Sequence, residues 1–147
     1  MKLFCVAVLF SVVFVIHGVD YIDCGSKSCK IDDVVVSGCA QDAKSCDLPR
    51  GTTVTMSMKF TTQNQRIDKL RNTLQGDIKG TWIPFNNTDA CNSITPSCPL
   101  NANTPATFNL SVPINKLFPA ISVPIKTELI DNNGVPCTCI EVQGKIV

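Results

Sequence analysis

The stretch TVTMSMKF, Thr53 to Phe60, decides the fold. Its apolar residues Val54, Met56, Met58 and Phe60 fall on every second position, with Thr, Ser and Lys between them. A period of two belongs to a strand that buries one face, because successive side chains leave a pleated backbone on opposite sides. The same alternation returns in TFNLSV, where Phe108, Leu110 and Val112 share a side, and in ISVPIKTEL, where Ile121, Val123, Ile125 and Leu129 do. Ile140, Val142 and Ile146 form another such set, and Val34 and Val36 a further one. Pro and Gly clusters between these runs read as turns. RIDKLRNTLQGDIKG, residues 66–80, is compatible with a helix through Ile67, Leu70 and Leu74, yet Leu70, Leu74, Ile78 and Trp82 also share strand parity. Gly76 and Gly80 favour the strand. Pro124 removes a ladder donor, so its strand is expected at an edge, or with that nitrogen facing outward. About seven short strands, with no repeat or linker dividing them, predict one all-β domain, an antiparallel sandwich.

The chain opens with Lys2, an apolar stretch from Leu3 to Ile16 and then the small Gly18, the order of charge, oil and cleavage site that marks a secretory signal peptide. The expected division is a leader at 1–18 and one domain of ordinary size at 19–147. The apolar stretch is shorter than the roughly 20 residues that span a bilayer, and no later stretch is comparably apolar. Removing the leader takes Cys5 with it and leaves Cys24, Cys29, Cys39, Cys46, Cys91, Cys98, Cys137 and Cys139, an even set for an oxidising compartment. Disulfides are expected rather than a metal site, since zinc ligands pair at shorter spacings with histidines or a second pair to match.

The single histidine, His17, falls within the leader. No imidazole then remains to take a proton from a Ser or Cys nucleophile. Asp32, Asp33 and the scattered aspartates read as solvated turn residues rather than a paired-carboxylate site. The expectation is therefore not an enzyme, with no catalytic residue and no cofactor. Thirteen Lys and Arg, one of them Lys2, face twelve Asp and Glu without a basic run, so nucleic acid is not an expected partner.

GTWIPFNNTDAC, Gly80 to Cys91, is too oily for an ordinary loop and is interrupted by Pro84. It runs into the sequon Asn86-Asn87-Thr88, and a second sequon is Asn109-Leu110-Ser111. Both Asn86 and Asn109 are candidate glycosylation sites and should face solvent if used. Asn109 lies on the polar parity of its strand.

The cysteines and their flanks resemble a known family. DCGS at Asp23, GC at Cys39, CDLPRG at Cys46, IPF before Cys91, CPL at Cys98, FPAISVPIKTELID, and a last cysteine followed by Ile-Glu-Val are similar to the ML lipid-recognition domain, nearest its Niemann-Pick C type 2 branch of sterol carriers. The resemblance covers nearly all of residues 19–147. It implies an immunoglobulin-like two-sheet sandwich with an apolar pocket between the sheets, and bonds Cys24–Cys139, Cys39–Cys46 and Cys91–Cys98. Cys139 is preferred to Cys137 because it keeps the family's distance to the chain end. If the first and last strands run antiparallel, Cys29 and Cys137 lie just inside the first bond and form a fourth, nested one. The crossed pairing of Cys24 with Cys137 and Cys29 with Cys139 stays open.

Pocket residues implied by the resemblance are Val36, Val54, Met56, Ile83, Phe85, Ile114, Phe118, Pro119, Ile121, Val123 and Ile140, with Phe85 at the mouth. The direction of Trp82 depends on whether Pro84 shifts the register. Where mammalian sterol carriers of the family have Trp, this chain has Thr127 and Ile140, which removes aromatic wall. The implied function is a secreted, non-enzymatic, monomeric carrier of a sterol or fatty-acid-like lipid. It would deliver its cargo to a membrane sterol transporter or receptor, in extracellular fluid or the lysosome. The alternative is a carrier of fatty acids or semiochemicals, or a lipid-sensing accessory of innate immune recognition.

Overall fold

The computed structural model describes residues 18–40 and 43–147. The expected leader therefore lies outside the described residues, apart from Gly18. Ten strands follow in chain order: β1 (Ile22–Asp23), β2 (Cys29–Val36), β3 (Cys46–Leu48), β4 (Thr53–Thr62), β5 (Leu70–Ile78), β6 (Thr81–Asp89), β7 (Ile94–Thr95), β8 (Pro105–Pro113), β9 (Ser122–Asp131) and β10 (Pro136–Ile146). Seven of them are long, as the alternation implies, and β1, β3 and β7 add two- or three-residue pieces. One sheet runs β1-β10-β9-β5-β6 with β3 joined parallel to β10, and the other runs β2-β4-β8-β7.

Most of the long strands bury alternate residues against the facing sheet, while edge strand β6 buries none. On β4 the buried set is Val54, Met56, Met58, Phe60 and Thr62, and on β8 Ala106 and Phe108 meet them. Met58, Phe60, Phe108 and Leu129 are 0–1% exposed and fill the centre. In β2 the register slips between Ile31 and Asp33. That bulge lets Cys29 and Ile31, at odd positions, share the inner side with Val34 and Val36, at even ones.

Two expectations are refined. The parity that joined Trp82 to Leu70, Leu74 and Ile78 does not run along one strand. Lys79 and Gly80, at φ 54° and 83°, turn the chain between β5 and β6, with Ile78 opposite Thr81. Two left-handed central residues are what a two-residue hairpin loop needs to match strand twist. Pro124 does not mark an edge strand, since β9 lies between β10 and β5. It sits near the start of β9, opposite Gln143 and beyond Ile125, the last residue paired to β5, so no bond to β5 is lost there.

Four disulfides tie the sandwich: Cys24–Cys139, Cys29–Cys137, Cys39–Cys46 and Cys91–Cys98. The two long-range bonds are nested rather than crossed. Because β1 pairs antiparallel with β10 while Cys29 opens β2 in the other sheet, Cys29–Cys137 joins the sheets at one end. Beside it, the buried Asp131 carboxylate accepts bonds from Ser28 Oγ at 2.9 Å and from the Asn133 and Val135 amides at 2.9 and 3.0 Å, which shapes the β9–β10 hairpin.

Candidate ligand cavity

The opposite end of the sandwich is less completely filled. A cavity of about 80 Å³ lies between the sheets. Its wall on the smaller sheet is Val36 of β2, Val54 and Met56 of β4, and Leu110 and Val112 of β8. On the larger sheet it is Leu74 of β5, Ile125 and Thr127 of β9, and Val142 and Gly144 of β10; Cys46, Leu48 and Ile114 close the side. None of these side chains is charged, and Thr127 carries the only hydroxyl among them.

Four of the residues singled out from sequence, Val36, Val54, Met56 and Ile114, therefore share this wall. The other seven are placed around it. Ile140 is 1% exposed and stands opposite Thr127 in the ladder, within the core. Val123 is buried and Ile121 half-buried at the start of β9, while Pro119 is exposed and Phe118 half-buried on the preceding loop. Ile83 and Phe85 are 38% and 49% exposed on edge strand β6.

The register explains what the oily β6 segment does. Leu74 faces Asn86 and Gln75 faces Pro84, so Phe85 is the extra residue of a bulge. A Cβ on Gly76 would stand 2.6 Å from Phe85 Cε2 and 3.2 Å from Val123 Cγ2. The ring thus lies over Gly76, on the inner side, next to cavity-lining Ile125, the partner of Gly76. Phe118 meets it with ring centroids 6.3 Å apart. Trp82 goes the other way: it pairs with Asp77 and receives Lys126 Nζ 4.5 Å from its ring centroid on the outer face. Arg50 holds the Phe118 loop in place, donating from Nη1 to the Phe118 carbonyl at 3.4 Å and from Nε to the Val147 carbonyl at 3.3 Å.

Sequence reasoning noted Thr127 as a change in the wall but missed Leu48, Leu74, Leu110, Val112, Ile125, Val142 and Gly144 as wall residues. Most carry a signal in their parity, since Leu110 and Val112 alternate with Phe108, and Ile125 with Val123. Gly144 carries none; it lies on the wall because a Cβ there would press on Leu48 Cδ1 at 2.8 Å and Ile125 Cδ1 at 3.2 Å.

Ionisable groups with displaced pKa values lie elsewhere, near β1. Burial pushes the Asp23 carboxyl up, but the Ser26 and Gly25 amides that it accepts outweigh burial and hold it below the usual value. The Tyr21 hydroxyl is raised by burial and then by Asp23, Asp33 and Asp32. Among the described residues no group of His, Cys, Asp and Glu is placed to hold a metal ion.

A wall of aliphatic side chains without a charge, beneath two aromatic rings, has one chemical competence: it shelters an apolar guest from water. The comparisons with known proteins point the same way. A family model described as the ML domain matches residues 18–146. The chain is 32% identical over 129 residues to NPC intracellular cholesterol transporter 2 homolog a of Drosophila melanogaster, covering 86% of each chain. It is 33% identical over 128 residues to the ecdysteroid-regulated 16 kDa protein of Manduca sexta, covering 86% of this chain and 87% of that one. Its fold superposes on the crystal structure of a Niemann-Pick type C2 protein from the Japanese carpenter ant with a TM-score of 0.79 at 25% identity, over 87% of this chain and 99% of the other. From the framework of cysteines, the two-sheet sandwich and these matches together, the chain belongs to the ML-domain family, close to its NPC2 members.

Proposed function

We propose that the protein is a non-enzymatic carrier that holds a sterol or fatty-acid-like lipid between its sheets and hands it to a membrane or receptor. The observation that carries this reading is the uncharged, aliphatic cavity between the sheets. Relatives named as intracellular cholesterol transporters in fly, zebrafish and mouse support it. The four disulfides suit an oxidising compartment, and no helix among the described residues is long and apolar enough to cross a membrane. The reading includes a leader at 1–18 and glycans on Asn86 and Asn109.

At about 80 Å³ the cavity is smaller than the roughly 300 to 1,000 Å³ of ordinary small-molecule sites, so loading requires it to widen. Its walls allow this. Met56 is unbranched and adaptable, and Phe85 and Phe118 sit at the rim, where rings can swing without exposing the core. A lipid that hides about 400 Å² of apolar surface gains roughly 10 kcal/mol at 25 cal/mol per Å². Association takes back several kcal/mol of this, leaving enough for micromolar to nanomolar retention without an ionic anchor.

Native mass spectrometry of the secreted protein, with extraction and identification of its lipid, tests the reading directly. A fluorescent lipid displaced by sterols or fatty acids, and protein-dependent transfer between vesicles, are the expected results. Failure of every apolar ligand to displace the fluorophore would overturn the carrier role.

A further inference from the structure

An unpaired strand at the edge of a sheet presents a row of amides and carbonyls to which a second copy of the chain can pair. Most edges of this sandwich are covered or charged. The outer side of β10 is paired with β1 at Ile140 and Glu141 and with β3 from Gly144 to Ile146. Edge strand β2 carries a bulge together with Lys30, Asp32 and Asp33, and Val19 donates its amide to the Val34 carbonyl at 3.0 Å. Two stretches lack such cover. β6 has no strand beyond it among the described residues, and it carries no charge from Thr81 to Thr88, while Ile83 and Phe85 stand 38% and 49% exposed. On the smaller sheet β7 pairs only with Thr107 and Phe108. From Asn109 to Pro113, where Leu110 and Val112 line the cavity, β8 therefore has β4 on one side and no described strand on the other. The chain passes from β6 directly into β7, so both bare edges lie on the same side of the sandwich.

Each bare edge holds one of the two sequons. Asn86-Asn87-Thr88 lies within β6, and Asn109-Leu110-Ser111 opens the unpartnered part of β8. Asn86 stands opposite Leu74, a cavity-wall residue, so it projects on the inner side of the rim next to Phe85. Asn109 alternates with the inward Phe108 and Leu110 and stands opposite Ser57, so it projects on the outer side of its sheet. Asn86 is half-buried and Asn109 exposed.

We propose that N-linked glycans on Asn86 and Asn109 cap the two bare strand edges beside the cavity, and that what they exclude is a second copy of this chain adding its own edge strand. The inference rests on the glycans in the reading above and assigns them this role. A strand that extends a sheet must come within about 4.8 Å of the edge along its length. A branched oligosaccharide rooted in the edge strand sweeps the space that such a neighbour would fill. On β2 charged side chains serve the same end. Charge suits β6 less well, because an ion beside Phe85 would hold water at the rim that an oily guest has to cross. A neutral glycan carries its hydration farther out.

Intact mass of the secreted protein, followed by sedimentation velocity over a concentration series, tests this. The wild type should carry two glycans and sediment as a monomer. The double variant Asn86→Gln, Asn109→Gln should self-associate about tenfold more tightly than the wild type. Thr88→Ala should act as Asn86→Gln does, whereas Thr88→Ser, which keeps the sequon, should match the wild type. In the associated form, amide hydrogen exchange should slow in β6 and in residues 109–113; slowing confined to other strands would overturn the edge assignment. Trimming the folded wild type with an endoglycosidase that leaves one sugar on each Asn creates no carboxylate, and it decides the matter where a variant fails to fold. A trimmed protein that stays as monomeric as the untrimmed one would overturn the inference and leave the carrier reading intact. A secreted wild type without glycans would overturn the inference together with the glycans it rests on, while lipid displacement still decides the carrier role.

Discussion

At the scale of single residues, Gly76 sets the geometry of the cavity mouth. Its missing Cβ is what lets the Phe85 ring lie against β5 beside Val123. Gly76→Ala should push that half-exposed ring outward rather than distort the sheet, so its stability cost is expected at the low end of overpacking, about 1 kcal/mol. Denaturant midpoints check the cost, and a faster release of fluorescent lipid checks the opened mouth; unchanged release would show that Phe85 does not restrict passage. Asp23 offers a second measurement. Its folded pKa is lowered, so its stabilising contribution is complete above its unfolded value, about pH 4, and is lost as pH falls through the lowered folded value. Asp23→Asn keeps an oxygen for the Gly25 and Ser26 amides but cannot titrate. The variant should therefore show a shallower fall of Tm below pH 4 than the wild type, and parallel curves would contradict the assignment. The Trp82 direction was not legible from parity, because the Phe85 bulge shifts the register within a single strand and no local signal announces it beyond Pro84.

At the scale of elements, the alternation was legible because it is a property of one strand and its burial. Val54, Met56 and Met58 face inward wherever β4 sits in the sheet. The location of Pro124 was not, since whether a strand is central depends on which distant segment pairs with it. The β5–β6 hairpin shows the same limit: strand parity carried through Trp82 in the sequence, while the chain turns at Lys79 and Gly80. Lys79 occupies a left-handed backbone at φ 54°, which suits Gly or Asn better than a branched-out Lys. Lys79→Gly should therefore stabilise the fold by about 0.5 kcal/mol, the relief of the left-handed strain less the added unfolded-state entropy of glycine. Thermal unfolding reads this, and a lowered Tm would mean that Lys79 makes contacts outweighing its strain.

At the scale of the whole molecule, the two long-range disulfides and the cavity occupy opposite ends. Cys24–Cys139 and Cys29–Cys137 close loops of nearly the same span, with separations of 115 and 108 residues. Once one is closed, the other removes little further freedom from the unfolded chain. Replacing Cys29 and Cys137 by Ala should therefore cost clearly less than the 2–4 kcal/mol typical of a lone bridge, while removing both bridges costs much more than twice that single loss. Additive losses in denaturant titrations would refute the nested-loop account. At the cavity end the short Cys39–Cys46 bridge links the segment after β2 to β3, beside the wall where Val36, Val54, Met56 and Ile114 meet. The sequence by itself determined the strand faces, the sandwich and the residues apolar enough to line its interior, because a period of two and the flanks of the cysteines are local properties. Only the tertiary structure decided which inner side chains leave a gap and that Thr127 reaches it. Those facts arise from the register of β5, β9 and β10 and from the stacking of one sheet on the other, contacts between residues too far apart in the chain for any local pattern to encode.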